Sequence, residues 1–358
     1  MTLRKIPTEF SVEEIDRELV ARGAQILGKE QFKFKDKEGT PARDAAMAEV
    51  KTLYDTASSP NPALSDLSTG DLIKLLILKT QKMSNTRGIW FGDDRTDFYE
   101  IPDEQVKKNA GCVVFICLKD NLIEEKNGFS TLKVKNYGKT FSLCENEPFH
   151  DQPISKGVSF TGFLVSEDTI ATAGHVVKGR KLADLCFVFG FKMEGPYKPV
   201  IRVPNENIYR GVEVPHKVYR SLKGDGADWT LVKLDRKVVG HPLAALSKKR
   251  IFSNQPIYVL GHPEGLPLKY APGSRIEQVN GACFGARLDI YCGNSGSPVF
   301  STDTHEVVGM VVRGDTRDFR YTGKCWLSVI YPNPEIQSTG AECTMVSEFA
   351  KHCRNTGN

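Results

Sequence analysis

Apolar positions divide the chain into two textures. Up to about residue 90 they recur at helical spacing. Ser11-Val12-Glu13-Glu14 has the form of a capping box, in which the serine hydroxyl and a glutamate carboxylate take free amides of the first turn. Ile15, Leu19 and Val20 then follow on one face as far as Gly23. Thr40-Pro41 supplies an N-cap with proline at the first helical position, and Ala46, Val50, Leu53 and Tyr54 continue at helical spacing until Ser58-Ser59-Pro60-Asn61-Pro62 stops them. A third helix opens at Ser68-Thr69-Gly70-Asp71 and runs from Leu72 to about Met83. Its apolar residues nearly encircle it, so it is expected to lie between the other two or against the next domain.

From about Asp97 the pattern changes to short β-branched and aromatic runs separated by Gly, Pro and Asn. Strands are expected at Asp97 to Ile101, Cys112 to Leu118, Gly162 to Val165, Leu185 to Phe191, Trp229 to Leu234, Ile257 to Leu260, Val299-Phe300 and Val307 to Val312. A short helix near Val346 to His352 closes the chain. Such a succession indicates an all-β barrel or sandwich. The turn signals Asn85-Thr86-Arg87-Gly88 and Gly92-Asp93-Asp94-Arg95 mark a boundary, giving a helical adaptor or regulatory domain over 1–90 and a β domain over 94–350.

Charge and composition remove several functions. Lys and Arg number 48 and Asp and Glu 44, a formal charge of +4 over 358 residues. With only Lys33-Phe34-Lys35 and Lys248-Lys249-Arg250 as basic clusters, no nucleic-acid footprint is present. No apolar run approaches the roughly 18 residues of a membrane span, and the first residues lack the apolar core of a secretory signal. The nine cysteines are odd in number and unpaired in spacing, which points to a reducing, cytoplasmic setting with most thiols as small buried hydrophobes. No CxxC pair or His/Cys cluster suggests a metal, and no cofactor is expected.

Three segments carry candidate chemistry. Ile170-Ala171-Thr172-Ala173-Gly174-His175 ends a strand in small residues and delivers a histidine to a turn. Gly226-Ala227-Asp228-Trp229 places an acid immediately before an alternating strand. Cys292-Gly293-Asn294-Ser295-Gly296-Ser297-Pro298 puts a serine inside a tight turn whose glycines let backbone amides point at whatever the serine attacks. Serine needs a histidine to take its proton and a buried carboxylate to fix that histidine's tautomer. The order His, Asp, Ser, with gaps of 53 and 67 residues, suits two barrels that each contribute part of a cleft. Asp225 and Asp235 compete for the acid's role, but the first lies in a Gly-Asp-Gly turn and the second at the far strand end.

Thr172-Ala173-Gly174-His175, Asp228-Trp229-Thr230-Leu231-Val232 and Gly293-Asn294-Ser295-Gly296-Ser297-Pro298 resemble the three signatures of trypsin-like, chymotrypsin-fold serine peptidases over about residues 97 to 350. The form of the serine motif, and Gly261-His262-Pro263-Glu264-Gly265, are similar to bacterial branches of that family. The resemblance implies two six-stranded antiparallel β-barrels. It also implies Ser295 as nucleophile, His175 as general base, Asp228 as orienting acid, and the amides of Gly293 and Ser295 as an oxyanion hole. Asn294 stands where the digestive enzymes carry an acid that anchors a new N-terminus, so activation by that route is not expected. Cys292 has no evident disulfide partner at the family's return strand.

Asp289, six residues before Ser295, matches the position at which trypsin-like enzymes hold an acid at the base of the substrate pocket, implying selection of Arg or Lys. Arg313, beside Gly314, would instead favour an acidic residue if it stands at the pocket mouth, and a pocket for small or apolar residues is the remaining choice. The expected function is a serine endopeptidase acting on a protein or peptide, with a possible protein partner at the N-terminal helices. The alternative is an inactive binding module on the same fold.

Overall fold

The computed structural model describes residues 89–90, 93–219, 226–314, 318–331 and 340–353. The three expected N-terminal helices lie outside the described residues, as does Asp225. Mainly β structure fills the remainder, arranged as two closed antiparallel barrels.

The first barrel consists of β1 (Val113–Leu118), β2 (Ser159–Ser166), β3 (Thr169–Thr172), β4 (Leu185–Phe189), β5 (Ile208–Tyr219) and β6 (Asp228–Leu234). Around the barrel the order is β4-β5-β6-β3-β2-β1, and β1 closes the ring against β4 with Ile116 opposite Phe187. The apolar run Val113-Val114-Phe115-Ile116-Cys117 does not alternate with polar residues because both faces of β1 are covered. Val114 and Ile116 point to one core with Phe163, Phe187 and Leu231. Phe115 and Cys117 point the other way, onto a cluster with Leu132, Val188, Phe191 and Val203 that the excursion between β1 and β2 helps to build. Complete burial of each such side chain stabilises the fold by about 1.5–3 kcal/mol.

The second barrel uses β7 (Pro256–Gly261), β8 (Lys269–Asn280), β9 (Cys283–Ala286), β10 (Pro298–Ser301), β11 (Val307–Arg313) and β12 (Ala341–Met345). Its order is β7-β10-β11-β12-β9-β8, and the ring closes because β8 also pairs with β7. Period-two alternation sorts its side chains. Ile257 and Val259 enter this barrel's core. Tyr258 and Leu260, with Phe300 and Met310, join the core cluster of the first barrel. The two barrels therefore share one apolar interface.

The expected strand at Asp97 to Ile101 is instead a two-residue strand, Thr96–Asp97, followed by a 3-10 turn, Phe98–Glu100. The Asp97 amide donates to the Glu100 carboxylate at 2.9 Å, and this local bond competes successfully with strand pairing. Two long strands escaped the sequence reading, β5 and β8. Pro215 interrupts the first, and Pro272 with Gly273 the second, where Gly273 has φ +77° and the register shifts between Ile257 and Val259 of its partner. The terminal helix, Val346–Ala350, falls where expected. Most cysteines are thiols, many buried, but Cys144 and Cys325 are disulfide-bonded, which the spacing did not signal. Among the described residues no helix is long and apolar enough to cross a membrane.

Candidate active site

At the end of β3 the extended Ala173 leads into a four-residue helix, Gly174–Val177, and presents His175 beside the first residue of β6. That residue is Asp228, only 1% exposed and opposite Tyr219 of β5. One carboxylate oxygen accepts the His175 amide at 3.0 Å and the other faces His175 Nδ1 at 2.7 Å. A carboxylate can only accept, so Nδ1 carries the hydrogen in the neutral ring, and Nε2 is left with the lone pair. Gly174 permits this approach, because a Cβ there would stand 2.7 Å from both Asp228 Oδ1 and the Val218 carbonyl.

Thr344 of β12 holds the same acid from behind, its hydroxyl accepting the Asp228 amide at 3.1 Å. Sequence reading missed Thr344, 116 residues away, since no local pattern connects them. Asp235 is otherwise employed, with its carboxylate accepting the Arg210 amide at 3.1 Å at the far end of β6.

Ser295, 4% exposed, belongs to the turn before β10. Thr161 of β2 straddles that turn: its amide donates to the Ser295 carbonyl at 3.0 Å and its hydroxyl to the Gly293 carbonyl at 2.9 Å. The His262 amide in turn donates to the Thr161 hydroxyl at 3.0 Å. With these carbonyls committed, the Gly293 and Ser295 amides donate to no other group among the described residues. Gly293 has φ +93° and Gly296 φ +88°. A Cβ on Gly296 would sit 2.1 Å from the Thr161 carbonyl and 2.2 Å from Thr172 Oγ1, so the serine turn lies directly against the end of the strand that delivers His175.

Buried Asn294 is held by uncharged partners. The Ser297 hydroxyl donates to its side-chain oxygen at 3.1 Å, and its amide and side chain both donate to the Tyr291 carbonyl, at 3.1 and 3.3 Å. His262, beneath the turn, is stacked on Phe191 at 5.8 Å between ring centroids. Burial drives its pKa down to about 3, so it stays neutral, with Nδ1–H donating to the Leu266 carbonyl at 3.0 Å.

The expected pocket residues are distributed differently. Asp289 lines a cavity of about 760 Å³ with Asp93, Asp94, Arg275 and Arg287, and none of His175, Asp228 and Ser295 lines it. Burial raises the Asp94 carboxyl above its ordinary value, and a hydrogen bond with Asp289 works against that rise. Arg313 ends β11 paired with Glu342 of β12, beside Gly226, and Gly314 follows it. The structure thus pairs His175 with Asp228 and sets the serine turn against the end of the strand that leads to His175, while Asp289 and Arg313 each face charged neighbours of their own.

The sequence pattern of the trypsin-like peptidase domain matches residues 160–310. No curated protein matches the chain. Among solved structures, the Rv3671c protease from M. tuberculosis in its active form is similar, with 15% identity over 69% of this chain and 81% of that one at a TM-score of 0.41. A Glu endopeptidase in complex with MPD shares 13% identity over 75% of this chain and 98% of its own, TM-score 0.42. A scabies mite inactivated protease paralogue shares 14% over 73% and 96%, TM-score 0.42. From the matched segment and the paired barrels, the chain carries a trypsin-like peptidase domain.

Proposed function

We propose that the protein hydrolyses peptide bonds through Ser295, His175 and Asp228. Ser295 Oγ attacks the scissile carbonyl and forms a C–O bond while His175 Nε2 takes its proton. The same proton passes to the leaving amine as the C–N bond breaks, and water then releases the acyl group by the reverse roles. Asp228 keeps the imidazole in the required tautomer, and the Gly293 and Ser295 amides receive the oxyanion. The observation that carries this reading is the double hold of Asp228 on His175, at 3.0 and 2.7 Å, next to a serine turn with two uncommitted amides. Fluorophosphonate labelling tests it. The natural chain labels at Ser295 and Ser295→Ala does not label while remaining folded; labelling at another serine refutes the assignment.

Specificity is proposed for basic residues through Asp289. Cleavage-site mapping on a peptide library checks this, and cuts after acidic or small residues would shift the choice toward Arg313 or an apolar pocket. Residues 1–90 are proposed as an adaptor or restraint that recruits a protein partner, because all the proposed triad and oxyanion residues fall between 175 and 295. A cytoplasmic location is proposed from the buried thiols. Cys144 and Cys325 weigh against it, and mass spectrometry of alkylated protein from cells distinguishes the two.

A further inference from the structure

A second cluster of ligand atoms stands one residue before Gly293. Glu264, Cys292 and Asp318 lie 28 and 26 residues apart in sequence, yet the Cys292 sulfur and one carboxylate oxygen of each acid all fall within 4.8 Å of one another. Their backbone and side chains are already tied together. The Cys292 amide donates to Asp318 Oδ2 at 2.8 Å, and the Glu264 amide donates to the Cys292 carbonyl. Asp318 is 5% exposed, and its Oδ1 is buried with no hydrogen-bond partner among the described residues. A buried carboxylate oxygen left without a donor is destabilising, and a cation is the group that offsets such a cost.

From this juxtaposition we propose that Glu264, Cys292 and Asp318 bind one zinc-class divalent cation. The donor set decides the class. Calcium and magnesium take oxygen ligands, whereas a thiolate beside carboxylates suits Zn²⁺ and its softer analogue Cd²⁺. Three protein ligands leave a fourth tetrahedral position for water. Cys292 is exposed, which gives the ion an entry path, and binding displaces the thiol proton to solvent. None of the three residues belongs to the set assigned to peptide hydrolysis, so the site stands independently of that assignment. Its ligands share no sequence spacing of a metal motif, which is why the linear pattern gave no sign of it.

Titration of the full chain, reduced and carrying Ser295→Ala to prevent autolysis, with ZnCl₂ or CdCl₂ tests the site. One equivalent binds, and cadmium produces a thiolate charge-transfer band in the ultraviolet. Cys292→Ser abolishes the band, and Asp318→Asn weakens binding about tenfold or more. Glu264→Gln, at a partly exposed side chain, does the same without risk to the fold, while His175→Ala leaves binding unchanged. Absence of stoichiometric binding, a band that persists in Cys292→Ser, affinity unchanged in Glu264→Gln, or binding lost in His175→Ala each overturns the proposal.

Discussion

Lys269 Nζ lies 2.5 Å from Asp97 Oδ1, an ion pair with both side chains almost wholly buried. Gln152 completes it, donating to the other Asp97 oxygen at 2.6 Å and accepting from Lys269 at 2.7 Å. Through this pair the segment that enters the first barrel is fastened to β8 of the second. Arg95 adds to the hold, with its guanidinium 4.3 Å from the Tyr291 ring centroid and paired with Asp93 at 2.7 Å. Residues 93–97 are thus tied by ion pairs and hydrogen bonds to the rest of the β domain, close to the boundary that turn signals alone suggest.

Asp97→Asn leaves the Lys269 ammonium buried without its counter-charge, and breaking a pair of this kind costs about 3–5 kcal/mol. Urea unfolding at pH 7 reads the loss. A chain beginning at Ser84 keeps the segment and cleaves small peptides, whereas one beginning at Phe98 lacks it and is unstable. Equal stability of the two would show that the segment is dispensable.

The two buried bases give the fold a definite pH dependence. His262 is held at about 3 in the folded protein, against about 6.5 in an unfolded chain. The unfolded state thus binds more protons between those values. Stability is full above pH 6.5 and falls, by up to about 1.4 kcal/mol per pH unit, as the pH drops toward 3. Lys269, lowered to about 8 chiefly by burial, acts with the same sign at higher pH, so its contribution to stability increases from pH 8 to 10.5. Melting temperatures of His262→Gln should show a shallower acid limb than the natural chain; an unchanged limb would assign the acid sensitivity to other groups.

Asp228→Asn replaces the acceptor for His175 Nδ1–H with an amide that favours the wrong tautomer, and kcat falls about 10⁴-fold. Asp235→Asn leaves kcat nearly unchanged. Thr344→Val removes the acceptor of the Asp228 amide, and the released acid costs about tenfold in kcat, or 1.4 kcal/mol, with little change in KM. Steady-state kinetics on one peptide substrate compares all three, and full activity in Thr344→Val would make its contact with Asp228 merely structural.

Gly296→Ala forces a Cβ to within 2.1 Å of the Thr161 carbonyl at a backbone φ of +88°. Both the clash and the conformation oppose it, so labelling at Ser295 is lost and the melting temperature falls. Wild-type labelling in this variant would mean that the turn rearranges without consequence for the serine.

Much of the site is legible in the sequence because its demands are local. A serine between two glycines, a histidine after Ala-Gly and an acid before an alternating strand are each imposed by a backbone path of a few residues, so residue type alone reveals them. Buried runs such as Val113-Val114-Phe115-Ile116-Cys117 likewise show a strand, since apolar burial is encoded by composition. The tertiary structure decided whatever depends on the packing of one barrel against the other. Only that packing sets Thr344 against Asp228 and Thr161 across the serine turn. The long strands Ile208–Tyr219 and Lys269–Asn280 form despite Pro215, Pro272 and Gly273 because neighbouring strands supply the hydrogen bonds that the local sequence argues against. Asp289 and Arg313 show the same limit: spacing locates them on the chain, but the charges they face, Asp94 for one and Glu342 for the other, come from distant segments. A contact between residues far apart in sequence leaves no trace in the spacing of either, so only the folded chain reveals it.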